Sequence, residues 1–246
     1  MWKSRASRKK NLEARVPDGI RVYAVGDVHG RADLLDQVFE RIDADLAAVP
    51  APQAIQVMLG DYIDRGPSSR AVLDRLIARG RGRHLVCLKG NHEIFVADFL
   101  ADPALLEEWR RFGGLETLMS YGLTPSMKGG AAEQASLAAA LEQALPAEHR
   151  EFLVALSPSF ACGDFFFVHA GVRPRVPLER QAEHDLLWIR EDFLLHEDEF
   201  EKVVVHGHTP VEQPDIRPNR INIDTGAFAT GRLTCLRIEA GELTFI

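Results

Sequence analysis

With 246 residues, 46% apolar and 26% charged, the chain has the composition of a globular protein, able to bury roughly 70–75% of its unfolded surface. No apolar run approaches the ~18 residues that a transmembrane helix needs, so a spanning helix is excluded. The formal net charge is −7, yet residues 1–15 hold Lys3, Arg5, Arg8, Lys9, Lys10 and Arg15 against Glu13 alone, so the acidity belongs to the remainder.

Residues 1–17 lack the apolar stretch of a secretory signal and read as a basic, disordered arm. Such an arm offers only weak attraction to nucleic acid or an anionic surface. Residues 18–246 read as one domain. Ile20 to Val25 is a strand that ends in Gly26-Asp27-Val28-His29-Gly30, followed by a helix with Leu34, Leu35, Val38, Phe39 and Ile42 at helical spacing. The apolar run Ile55 to Leu59 ends in Gly60-Asp61-Tyr62-Ile63-Asp64-Arg65-Gly66. Pro67 is suited to the first position of the next helix, which stops at Gly80. His84 to Leu88 is a third strand, ending in Gly90-Asn91-His92-Glu93. Three strand–motif–helix units predict a sheet of parallel strands.

From about residue 94 to 157 the text is helical, with breaks at Gly113-Gly114, Gly122 to Pro125, Gly129-Gly130 and Pro146. It reads as a helical insertion over one rim of the site, in which Leu137, Leu141 and Leu145 mark a cover helix. Strands return at Phe160 and at Phe165 to Val168, the latter ending in His169-Ala170-Gly171. A helix is expected from His184 to Leu195, carrying Trp188-Ile189-Arg190. Lys202 to Val205 ends in His206-Gly207-His208-Thr209-Pro210, and Ile221 to Ile223 ends in Asp224-Thr225-Gly226. A hairpin turning at Glu239 to Glu242 closes the chain. Cys87, Cys162 and Cys235 are far apart and odd in number, which fits free thiols and a cytoplasmic protein.

Asp27, His29, Asp61, Asn91, His92, His169 and His208 all follow apolar runs and are flanked by glycine. Open α/β sheets place their ligand sites at the carboxyl ends of strands, so these side chains are expected in one cleft. Oxygen donors mixed with imidazole, without thiolate, suit Mn²⁺ foremost, with Fe or Zn²⁺ as alternatives. Two such cations can hold a bridging hydroxide and clamp a phosphoryl group. His92 is placed to protonate the leaving group, and Asp64 to hold its tautomer. Arg65 and Arg190 would grip phosphate oxygens, beside Asn91. His206 is expected to be structural.

The motifs at 26–30, 60–66, 90–93, 169–171 and 206–209 together resemble the calcineurin-like metallophosphoesterases, over roughly residues 20–230. The phosphoprotein-phosphatase branch is more similar still, in particular the small bacterial and phage serine/threonine protein phosphatases. The resemblance implies a two-sheet β-sandwich flanked by helices, four layers in α/β/β/α order, and direct hydrolysis at two metal ions. It implies that Asp27, His29 and Asp61 hold one metal, and Asp61, Asn91, His169 and His208 the other. Trp188-Ile189-Arg190 is similar to the family's second phosphate-binding arginine site. Pro210 stands where nuclease branches carry a second histidine. The symmetrical dinucleoside tetraphosphate hydrolases tend to carry Gln in place of His29 and to lack the aspartate at Asp64. Phosphoserine/phosphothreonine hydrolysis is therefore the expected activity. Hydrolysis of dinucleoside tetraphosphates or other small phosphoesters is the alternative, and a non-catalytic metal-binding scaffold a remote one.

Overall fold

The structure, a computed structural model, describes residues 14–126 and 129–246. In its first part β1 (Ile20–Val25), β2 (Gln53–Met58) and β3 (His84–Cys87) alternate with α1 (Ala32–Ala48), α2 (Ser69–Gly80) and α3 (Asn91–Ala101). Both β1–β2 and β2–β3 pair in parallel, as helical crossovers require. Four helices follow: α4 (Leu106–Arg111), α5 (Gly114–Ser120), α6 (Ala131–Ala144) and α7 (Ala147–Val154). Then come β4 (Ser159–Cys162), β5 (Phe165–Val168), α8 (Glu183–Trp188), α9 (Glu191–Leu194), β6 (Val203–His206), β7 (Asp215–Ile216) and β8 (Arg220–Asn222). The chain closes with α10 (Ala227–Thr230), β9 (Cys235–Glu239) and β10 (Glu242–Phe245).

The strands form two five-stranded sheets, ordered β10-β9-β1-β2-β3 and β4-β5-β6-β8-β7. Alternation along each strand divides the core. Val22, Ala24, Ile55 and Val57 of the first sheet face Phe165, Phe167, Val205 and Ile221 of the second. Tyr23, Val25 and Met58 point the other way, against Leu35, Val38, Leu73 and Leu76 of α1 and α2. On the far side, Phe166, Val168 and Val204 meet Leu186, Ile189 and Phe193. The layers are helix, sheet, sheet, helix. Strands covered on both faces need apolar residues on both, which is why they read as unbroken apolar runs.

The helical stretch breaks where glycine and proline stand. Gly113 precedes α5 at φ 90, Gly130 precedes α6 and Pro146 precedes α7. Leu137, Leu141 and Leu145 are buried, so α6 covers the core beside α3.

Three expectations need correction. The second helix begins at Ser69, not Pro67, because left-handed backbone at Asp64 and Arg65 carries the turn further. The helix expected over His184 to Leu195 is two short ones, interrupted where Ile189 becomes extended at φ −61, ψ 141. Arg190 therefore sits at a break rather than on a helix face. Of the basic arm, residues 1–13 lie outside the described residues, but its carboxyl end is built into the fold. Val16 is buried, its N–H donates to Ala240 O at 2.9 Å, and the Arg15 N–H donates to Asp164 Oδ2 at 2.9 Å. Among the described residues no helix is long and apolar enough to cross a membrane.

Candidate functional site

The strand ends converge because backbone groups tie their loops together. The Val28 and His29 N–H groups both donate to Asp61 O, at 3.1 and 2.8 Å, and the Gly207 N–H donates to His169 O at 2.8 Å. Gly30, at φ 61, lies where an added Cβ would come within 2.5 Å of Gly66 O. Only glycine permits that approach of the first two motif loops. His29, Asp61, Asp64, Arg65 and His208 all hold φ between 44 and 70. Residues with side chains rarely adopt this region, and such strain gathers at functional sites. Among the described residues only Arg175 and Ala240 share it elsewhere.

Asp61 is central. His29 Nδ1 donates to Ile63 O at 2.9 Å, which leaves Nε2 facing Asp61 Oδ2 at 3.3 Å. His169 Nδ1 donates to Leu59 O at 2.9 Å, so its Nε2 faces Asp61 Oδ1 at 3.4 Å. The same Nε2 lies 2.9 Å from Asn91 Oδ1 and 3.1 Å from His208 Nδ1. His208 Nδ1 is itself 2.9 Å from Asn91 Oδ1. Two groups of potential ligand atoms result, His29–Asp61–His92 and Asp61–His169–His208, each within 4.8 Å. Asp27 borders them: its Oδ2 accepts from the His208 N–H at 3.0 Å, while Oδ1 is buried with no hydrogen-bond partner among the described residues.

The electrostatics agree with a cation site. Burial lowers His29 to about 3 and His208 to about 2, keeping their nitrogen lone pairs free. Burial, then the neighbouring carboxylates of Asp224 and Asp61, pushes Asp27 well above the usual range. Burial would also raise Asp61, but the surrounding imidazoles, His169 first, hold it low. Donor atoms at 2.0–2.2 Å from a metal stand about 2.8–3.6 Å apart, which is the spacing seen here. These residues fit divalent metal.

Beside this cluster, His92 Nδ1 donates to Asp64 Oδ2 at 2.7 Å. Asp64 also accepts from Trp109 Nε1 at 2.9 Å and from Thr117 Oγ1 at 2.5 Å. Burial opposes protonation of His92, yet Asp61 and Asp64 outweigh it and raise its pKa. Arg65 Nη2 donates to His92 Nε2 at 3.1 Å, and its guanidinium lies 5.0 Å from the Phe228 ring centre. Arg190 is exposed and its Nη1 donates to Thr209 Oγ1 at 3.3 Å, beside His208. His206 lies apart, packed edge-on against Phe193 at 4.9 Å.

The structure brings together every residue expected at the site. It also adds four. Glu93 accepts from the Asp61, Tyr62 and Gly90 N–H groups at 3.0, 2.7 and 2.9 Å, fixing the Asp61 loop. A glutamate three residues past a helix-opening glycine is a capping signal, and could have been read as one. Asp224 follows β8 as the other residues follow their strands, and crowds Asp27. Trp109 and Thr117 lie 45 and 53 residues from Asp64, with no spacing signal to reveal them.

A calcineurin-like phosphoesterase family model matches residues 20–232. The asymmetrical bis(5'-nucleosyl)-tetraphosphatase PrpE of Anoxybacillus flavithermus is 27% identical over 89% of this chain and 90% of its own length. A symmetrical bis(5'-nucleosyl)-tetraphosphatase of Acidovorax sp. is 30% identical over 74% of the chain, which spans only 51% of that relative. The crystal structure of a candidate diadenosine tetraphosphatase superposes with a TM-score of 0.61 at 20% identity, covering 95% of this chain and 97% of the other. At that identity it speaks for the fold alone. With the matched family model spanning β1 to β8 and every loop of the site, the chain belongs to the calcineurin-like phosphoesterases.

Proposed function

We propose that the protein hydrolyses dinucleoside tetraphosphates at the cluster centred on Asp61. The observation that carries the hydrolytic reading is that the two oxygens of Asp61 face two separate groups of nitrogen and oxygen donors, His29 on one side and His169 on the other. Asp27, His29 and Asp61 would hold one divalent cation, and Asp61, Asn91, His169 and His208 a second, Mn²⁺ foremost. Bound there, they would supply Lewis acidity and an activated water. The rest falls to the chain. Asp64 keeps the proton on His92 Nδ1, so a second proton at Nε2 is the one His92 can give to a departing oxygen. Arg65, within reach of His92 Nε2, sets a phosphate oxygen beside that proton, and Arg190 offers a second fork from across the cleft. Glu93 keeps Asp61 in its strained conformation through three backbone hydrogen bonds.

The substrate class rests on the full-length relative, whose name is that of a dinucleoside tetraphosphatase. The Asp64–His92 pair supports a second reading, phosphomonoester hydrolysis, phosphoserine and phosphothreonine included. An alkoxide leaves poorly without a proton, whereas a nucleoside polyphosphate leaves readily. One panel on Mn²⁺-reconstituted protein separates the two. Diadenosine tetraphosphate should turn over faster than a phosphoserine/phosphothreonine peptide or a bis-aryl phosphodiester. Dominant peptide dephosphorylation would transfer the assignment to the protein phosphatases.

A further inference from the structure

A cavity of about 590 Å³ opens beside the metal-ligand cluster, and the two share a wall. Arg65 lines it and donates to His92 Nε2 at 3.1 Å. Phe112 lines it and meets the His92 ring at 5.8 Å, and Phe228 lines it and meets the His29 ring at 5.5 Å. The rest of the wall includes Arg110 and Arg111, the last two residues of α4.

Two of these residues are placed against their own solvation. Phe228 keeps 38% of its surface exposed although it sits beside Arg65. The Arg110 side chain is only 11% exposed, and its Nη1 donates to Ser126 O at 2.7 Å. Its Nε lies 3.6 Å from Glu107 Oε1, too long for a good hydrogen bond, and Nη2 has no hydrogen-bond partner among the described residues. Those two nitrogens are closed to solvent and do not face the cavity, so the guanidiniums within a ligand's reach are those of Arg65 and Arg111. Two arginines with aromatic faces beside them match a phosphate chain that ends in a planar base. The volume is that of a small-molecule site.

We propose that this cavity binds the nucleoside phosphate on the far side of the scissile bond. The phosphates run from Arg65 to Arg111, and the base lies against Phe228. This assignment rests on the dinucleoside polyphosphate reading, but it can be tested apart from it. Titration calorimetry of ADP into chelator-treated protein should show binding that weakens about tenfold in Arg111→Ala, an exposed position that folding does not need. Phe228→Ala should weaken ADP but not inorganic pyrophosphate. In the Mn²⁺ enzyme, Arg111→Ala should raise the KM for diadenosine tetraphosphate about tenfold, and leave kcat and p-nitrophenyl phosphate turnover unchanged. Unaltered ADP affinity and KM in folded variants would overturn the subsite even if the enzyme cleaves dinucleotides. Arginine-dependent ADP binding in a protein that cleaves none would uphold it while the functional reading falls.

Discussion

His92 can be either a proton donor or a metal ligand, since it closes the donor group formed by His29 and Asp61 as well as pairing with Asp64. The bonds from Trp109 and Thr117 saturate Asp64 and leave His92 Nδ1 as its remaining partner, an arrangement that orients an imidazole for proton transfer. On a phosphomonoester with a poor, alkoxide leaving group, His92→Asn should lower kcat by about 10²–10⁴-fold with metal content unchanged by elemental analysis. Metal lost along with activity would move His92 among the ligands. Far from the site, Asp45 accepts from Tyr23 Oη at 2.6 Å, from Arg237 Nη1 at 2.7 Å and from Arg21 Nη1 at 3.1 Å. Burial would raise its pKa, but Tyr23 and the two guanidiniums outweigh burial and lower it. A depressed carboxylate pKa stabilises the fold above the unfolded value of about 3.9, and that gain fades as pH falls through the folded value. In urea titrations Asp45→Asn should therefore be less stable than wild type at pH 7, and the gap should narrow by pH 3. A gap that holds at pH 3 would remove the charge from the explanation.

At the scale of elements, the helical stretch supports the chemistry as well as covering the core. Trp109 in α4 and Thr117 in α5 reach Asp64, and α6 packs behind them through Leu137 and Leu141. Leu141 is fully buried, so Leu141→Ala should cost about 2–5 kcal/mol in urea unfolding. A cost near zero would mean that α6 is not part of this core. The helix itself was legible from leucines four residues apart. Its service to Asp64 was not, because hydrogen bonds across some fifty residues leave no local pattern. The broken helix at Ile189 escaped for the same reason: apolar spacing continues through Trp188, Ile189 and Phe193, while the backbone turns to deliver Arg190 towards Thr209.

For the molecule as a whole, the working part begins earlier than charge patterning suggests. Arg15 and Val16 bridge Gly163-Asp164 and Ala240, linking β4–β5 of one sheet with β9–β10 of the other. Removing residues 1–13 should leave thermal stability and small-substrate turnover unchanged. Removal through Pro17 should lower the melting temperature by roughly 5 °C, from the lost burial of Val16 and its hydrogen bonds. Equal melting temperatures for the two truncations would show that this edge contributes nothing. Amino acid order alone determined the parallel strands, the two-sheet layering through the family resemblance, and which side chains gather at the site, because each stands after an apolar run and within a few residues of a glycine. Only tertiary structure decided which oxygen of Asp61 faces which imidazole, what surrounds Asp64, and that Arg65, Arg110, Phe112 and Phe228 enclose one cavity. Those are contacts between segments far apart in the chain, and their geometry exists only once both sheets have packed.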